Sequence, residues 1–287
     1  MTMTAHDLRR RATSRAVEAF CTAAVVVALI PLGLVLFFVI SRGLPALRPE
    51  FFTHMPKPVG ETGGGMANAM VGTLILIGIA TAIAVPVGVV SGVFLSEYKR
   101  SRLGSAVRFA ADVLNGIPSI VIGVFAYAVA VMPFRRFSAL AGGVALGVMM
   151  LPLIVRTTEE LLRLVPESFK EGALALGATR SRAVWTVILP AALPGIVTGI
   201  LVALARVAGE TAPLLFTSFN NAFFSTRLDQ PISSLTVQVY TYAISPYEDW
   251  HRQAWAGATV LIAAILFFSL LARFVTRRLE RMHRGTA

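Results

Sequence analysis

The sequence predicts an all-α polytopic membrane protein with six transmembrane helices, and three observations carry that expectation. Hydrophobic residues make up 56% of the 287 residues and charged residues only 14%, with a mean hydropathy of +0.73; a soluble domain carries about 25% charged residues. Apolar runs long enough to cross a hydrocarbon core, about 20 residues each, recur six times along the chain. The basic residues behind the formal charge of +11 fall between those runs. Without interleaved aromatic residues they read as membrane flanks rather than as a nucleic-acid surface.

In chain order, residues 1–16 form a polar, basic tail with Arg9, Arg10, Arg11 and Arg15. A first span at 17–40 follows and closes at Ser41-Arg42. It is too long for the core of a cleaved signal peptide, so it reads as a retained helix. The single cysteine, Cys21, lies inside it and reads as a packed core residue; the chain has neither a disulfide framework nor a cysteine metal site. Residues 42–66 are rich in Pro and Gly and read as an external loop. Its triplet Gly63-Gly64-Gly65 lacks the following Gly-Lys-Ser/Thr of a phosphate-cradling loop, so it reads as a flexible linker and the chain carries no ATPase of its own. The second span, 68–95, has small residues four apart at Ala80, Ala84, Gly88 and Gly92, a stripe that lets a neighbouring helix come close. Pro86 is a candidate kink.

The third span, 109–132, is interrupted at Gly116-Ile117-Pro118. That interruption reads first as a packing kink, with a break lining a path as the alternative. The fourth span covers 139–155, and a polar segment runs from 156 to 190. The fifth span covers 191–215, a second external loop 216–252, the sixth span 254–274, and a basic tail 276–287. The membrane domain is therefore expected at 17–275.

Two constellations stand out. In the polar segment, Phe169, Ala173, Leu174 and Leu176 fall at helical spacing beside a polar flank, the pattern of a helix that lays one face in a partner's groove. The same pattern fits a helix lying on the membrane surface. In the fifth span, Ala191, Gly195, Gly199 and Ala203 are four apart, and Arg206 and Glu210 continue near that stripe. With a helix start at Ala191, Arg206 lies about 22 Å along it, in the outer half of a core about 30 Å thick. A charge at the membrane centre costs at least about 2.5–3.5 kcal/mol, so it needs a partner or a function. Arg206 and Glu210 either neutralise each other or serve an anion path. Enzyme chemistry has little support: His6, His54, His251 and His283 are scattered without metal-ligand spacing, and neither Gly-x-Ser-x-Gly nor His-Glu-x-x-His occurs. Asp112 with Asn115 reads as a helix-terminus or interfacial pair.

Glu171-Gly172-Ala173, Gly177, Val187 and Leu189-Pro190 match, at every spacing, the Glu-Ala-Ala…Gly…Ile-x-Leu-Pro pattern of the cytoplasmic EAA loop. Gly172 and Val187 depart from it in residue type only. On this loop the chain resembles bacterial ABC importer permeases. Gly209-Glu210-Thr211-Ala212-Pro213-Leu214 narrows the resemblance to the A-type (PstA-type) permeases of the phosphate importer, joined by Glu97-Tyr98 and residues 114–121. The similarity runs from about 65 to 215. It implies an ABC importer type I permease architecture and translocation of inorganic phosphate, driven by ATP hydrolysis on a partner subunit. The implied partners are a homologous B-type (PstC-like) permease, an ABC ATPase dimer (PstB-like) and an external phosphate-binding protein (PstS-like). ATP and Mg would be bound by the ATPase, with no cofactor or metal on this chain. Glu171, Gly172, Ala173, Gly177, Leu189 and Pro190 would couple to the ATPase, and Arg206, Glu210 and Thr211 would line the anion path. Two alternatives remain: a sulfate or molybdate permease, which shares the loop but not Glu-Thr-Ala-Pro, and an ATP-independent secondary transporter or channel.

Orientation follows from Lys and Arg. With the N-terminus inside, 18 of the 26 basic residues fall in inner segments and 7 in outer ones, Arg206 being within the membrane. Arg135 and Arg136 oppose the trend locally. Both termini and the 156–190 segment are therefore expected in the cytoplasm of a bacterial inner-membrane protein. With Cys21 replaced, single cysteines at Ser181 and Ser225 should label with an impermeant maleimide from opposite sides of the membrane; labelling from one side would rule out six spans.

Overall fold

The structure is a computed structural model and describes residues 5–284, without the side chains of residues 5–8, 11–12, 272 and 275–284. The side chains of His6, Arg11, Arg277, Arg278, Arg281, His283 and Arg284 thus lie outside the described ones. Five helical stretches are long and apolar enough to span a membrane: Thr13–Ala46, Ala67–Glu97, Ala139–Leu164, Arg180–Ala208 and Glu248–Leu271. A bent pair, Arg102–Gly116 and Ser119–Val131, meeting at 109°, brings the spans to six if it is counted as one.

We label the helices α1 (Ala5–Gly43), α2 (Pro49–Thr53), α3 (Ala67–Glu97), α4 (Arg102–Gly116), α5 (Ser119–Ala126) and α6 (Ala139–Leu164). They continue with α7 (Glu167–Ala175), α8 (Arg180–Ala183), α9 (Leu189–Ala208), α10 (Ala212–Thr217), α11 (Leu235–Ala243) and α12 (Glu248–Arg284). The caps follow the sequence. Ser101 and Ser138 accept from the Gly104 and Ala141 amides at 2.9 and 3.1 Å, starting α4 and α6. A π-helical turn, Val184–Ile188, joins α8 to α9. It ends just before Pro190, which has no N–H for an ordinary helical bond.

Three expectations are corrected. The interruption at Gly116-Ile117-Pro118 is an elbow of 109°, not a packing kink. Pro118 disfavours a helical Ile117, whose backbone is extended at φ −75°, ψ 131°. The fourth span does not end at 155: α6 runs to Leu164, so residues 156–164 are its last turns rather than the start of the polar segment. The fifth span is displaced towards the N-terminus, Arg180–Ala208 instead of 191–215, and stops at Gly209.

α3 and α6 form the centre of the bundle. The stripe Ala80, Ala84, Gly88 and Gly92 is buried throughout. A Cβ on Gly92 would lie 2.5 Å from Thr158 Cβ, and one on Gly88 2.7 Å from Ile154 Cγ2. α6 answers with its own glycines, Gly142 against Leu76 and Gly143 against Ile79. The stripe of the fifth span works the same way, with Gly195 against Leu161 and Gly199 against Thr157. Lipid tails are as apolar as these side chains, so close packing supplies the cohesion.

At one end of the bundle the chain between α10 and α11 folds back on the start of α6. The Ser138, Ala139 and Leu140 amides donate to the carbonyls of Thr217, Gln230 and Leu228. There Asp229 joins Arg136 and Arg227, and the hydrogen bond from Arg227 holds its carboxyl below the usual range. α11 is fixed by the Leu235 amide, which donates to Thr73 Oγ1 at 2.8 Å. α7 lies at the opposite end. α1 meets α12 near Gly43, where Thr259 Oγ1 donates to the Val39 carbonyl at 3.0 Å.

Gly92→Ala should destabilise the protein by about 1–3 kcal/mol, the usual cost of forcing a carbon into a filled core. Gly78→Ala, where a Cβ meets nothing within 4 Å, should not. Thermal unfolding of the two purified variants in detergent checks the contrast.

Candidate functional site

The expected path residues sit where the fifth span breaks. α9 ends at Ala208, and the Gly209 amide caps it on the Arg206 and Val207 carbonyls. The stripe Gly199–Ala203 continues through Val207, which is buried, while Arg206 lies to one side, exposed. A guanidinium in the last turn suits the negative end of the helix dipole. Glu210 follows the break, and its carbonyl accepts from Thr236 Oγ1 at 2.9 Å. Thr211 caps the short α10, its carbonyl accepting from the Leu214 and Leu215 amides. Arg206 and Glu210 were expected one helical turn apart on one face. Gly209 ends the helix between them, and no ion pair joins their described side chains. Self-neutralisation is therefore not how this structure settles the two charges.

The second group lies at the other end. α7 buries none of its residues. Phe169 and Leu174 are open to the surroundings and Leu176 is 91% exposed; Leu164, at the end of α6, is exposed as well. Glu171 and Gly172 are exposed and Ala173 half-buried. Gly177 has φ +84°. Its amide donates to the Leu174 carbonyl at 2.9 Å and that of Ala178 to Ala173 at 3.1 Å. This pair of bonds is the Schellman closure, which needs a left-handed residue at that place. Leu189 and Pro190 open α9, so the pattern residues bracket a compact unit: α7, the glycine stop, α8 and the π turn.

Sequence reasoning missed what holds this unit. Lys170 Nζ donates to Glu97 Oε1 at 2.7 Å, and Lys99 Nζ to Glu167 Oε1 at 3.3 Å, tying α7 to the end of α3. It also missed Glu159, whose side chain is 1% exposed. Arg108 Nε donates to Glu159 Oε1 at 2.6 Å, Arg156 Nη1 to Oε2 at 3.3 Å, and Arg163 to Oε1. Arg156 also binds Asp112 through Nε at 2.8 Å, so Asp112 is interfacial, as expected, while Asn115 takes no part in that contact. Arg108 reaches the Leu95 carbonyl at 2.9 Å and that of Lys99 at 3.2 Å. The signal was legible: Arg156, Glu159 and Arg163 are spaced i, i+3 and i, i+7 along one helix face.

A helical bundle with a broken span, a charged break at one end and a bare apolar helix at the other has the make-up of a transport permease. The family model described as "Binding-protein-dependent transport system inner membrane component" matches residues 84–284. The phosphate transport system permease protein PstA of Yersinia pestis is 43% identical over 242 residues, 84% of this chain and 82% of that protein. The phosphate transport system permease protein PstA 1 of Mycobacterium tuberculosis is 37% identical over 284 residues, 96% of this chain and 92% of that protein. A bacterial ABC transporter that imports the acidic polysaccharide alginate shares the fold, with a TM-score of 0.69 and 13% identity, over 94% of this chain and 98% of that one. The chain belongs to the family of binding-protein-dependent transport system inner membrane components, among its PstA permeases.

Proposed function

We propose that this chain is the permease subunit through which a binding-protein-dependent ABC importer moves inorganic phosphate across the bacterial inner membrane, powered by ATP hydrolysed on a partner subunit. Similarity to PstA proteins over more than four-fifths of the chain supports the substrate. The observation that carries the mechanism is Arg206, a permanent cation on the exposed side of an apolar helix end. Facing lipid in the last turn of the span, it would have to stretch to the interface to keep its hydration, at some cost. A homologous second permease that closes a water-filled path over this face removes that cost. Phosphate in the path meets a fork of donors suited to its oxygens, with Glu210 and Thr211 beyond the break. The alternatives are less well supported, since the PstA relatives match more than four-fifths of the chain.

At the other end, α7 presents Phe169, Leu174 and Leu176 to an ATPase dimer that binds ATP and Mg. Glu171, Gly172, Ala173 and Gly177 shape the helix and its stop; Leu189 and Pro190 carry its movement into α9. The charge bias puts this end, and both termini, in the cytoplasm, and the α10–α11 end towards an external phosphate-binding protein. Closure of the ATPase would move α7 as a rigid element and open the path by rocking the helices.

Gly177→Val should assemble and hydrolyse ATP while phosphate uptake falls at least about tenfold, because a β-branched residue is strained at φ +84°. Normal uptake in proteoliposomes would refute the coupling role.

Arg206→Gln should abolish uptake in an assembled complex, and Arg206→Lys should recover little, because a point charge lacks the fork. Glu210→Gln should impair uptake. The double variant Arg206→Gln/Glu210→Gln should stay inactive. Uptake restored in it would mean that the two charges only balance each other.

A further inference from the structure

The Glu159 cluster has no place in the path or on the ATPase-facing surface, yet it is the most completely enclosed charge among the described residues. Its carboxylate accepts from three guanidiniums, one on α4 and two on α6. Arg108 adds the last carbonyls of α3 and the turn after it, at Leu95 and Lys99. Arg156 adds Asp112, on α4 one turn beyond Arg108. One carboxylate thus joins three helices.

Two connections leave this junction. Towards α7, the same end of α3 holds Lys170 through Glu97, and Lys99 holds Glu167. Towards the path, α4 runs into the 109° elbow, and α5 beyond it packs on α10, where a Cβ on Gly123 would lie 2.7 Å from Pro213 Cα. α10 opens at the break that carries Glu210 and Thr211. Besides the direct route through α8 into α9, a second chain of contacts from α7 to the break thus runs over α3, α4 and α5, and the buried carboxylate pins its junction to α6.

We propose that Glu159 is a positioning residue for transport: it locks α4 and its elbow to the α7-bearing ends of α3 and α6, so that movement of α7 is delivered to the break beside Arg206. This rests on the reading of α7 as the ATPase-coupled helix. A cluster that served folding alone would need no link to α7 or to a broken span. A coupling element has to join them rigidly, which buried, fully paired charges do in a low-dielectric setting.

The test uses the assembled importer, with its partner permease, ATPase and binding protein, in proteoliposomes. The readout is phosphate accumulated per ATP hydrolysed in the same vesicles, which a simple loss of folded protein leaves unchanged. Glu159→Gln keeps the shape and removes the charge. It should assemble, continue to hydrolyse ATP, and lower that ratio by about tenfold, with Glu159→Asp recovering part of it. A wild-type ratio in assembled Glu159→Gln overturns the proposal. If Glu159→Gln fails to assemble, Arg108→Gln/Glu159→Gln, which removes one charge of each sign, replaces it. A wild-type ratio there, or failure of both variants to assemble, assigns the carboxylate to the scaffold and also overturns the proposal. Gly177→Val is run alongside. If it uncouples while the Glu159 variants do not, only this inference falls; if it too couples normally, the reading of α7 falls first.

Discussion

The close approach of α3 and α6 is the constraint on which the rest of the structure depends. Gly88 and Gly92 leave no room for a single carbon against Ile154 and Thr158, and Gly142 and Gly143 leave none against Leu76 and Ile79. Helices in an apolar medium gain nothing by hiding apolar area from water, so such contacts must be made by dispersion at short range. Once this pair is fixed, the end of α3 lies beside the last turns of α6. Glu159 is then brought within reach of Arg108 and of the carbonyls that end α3.

The molecule treats its charges in two opposite ways. Glu159 is withdrawn from water and fully paired; removing one partner of such a buried pair costs about 3–5 kcal/mol. Lys99 and Glu167, by contrast, meet largely in solvent, where a pair contributes about 0–1 kcal/mol. The junction is thus enclosed more deeply than either tie to α7, of which Lys170–Glu97 is the part-buried one and Lys99–Glu167 the exposed one. Arg206 is the converse case, a charge left open on the surface of the single chain, and the proposed path would cover it with another subunit and water.

The helices that follow the two interruptions of the spans pack on each other. The elbow after Gly116 leads into α5, and α5 packs on α10, the helix that follows the Gly209 break. Irregular backbone at membrane depth needs protein or water to satisfy its freed groups. Packing α5 on α10 brings protein close to both breaks. It also concentrates in one region the segments that can bend without loss of helical hydrogen bonds elsewhere.

By itself, the sequence determined the number of spans, the small-residue stripes at Ala80–Gly92 and Ala191–Ala203, the helix at 167–175 and its stop at Gly177. Each is set by local chemistry: apolar length, four-residue spacing, or a backbone conformation that only glycine adopts freely. The family was also legible, because the loop pattern and Gly209–Leu214 are contiguous motifs. Apart from the spacing of Arg156, Glu159 and Arg163, tertiary structure decided what the charges do. Arg206 and Glu210 share a face only on an unbroken helix, and the turn at Gly209 separates them. Glu159, in a polar stretch that resembled a loop, proved to be the enclosed centre of three arginines. Helical spacing shows which residues share a face. Which neighbour that face meets depends on contacts between residues far apart in the chain, Arg108 with Glu159 and Lys170 with Glu97, and only the packed bundle sets those.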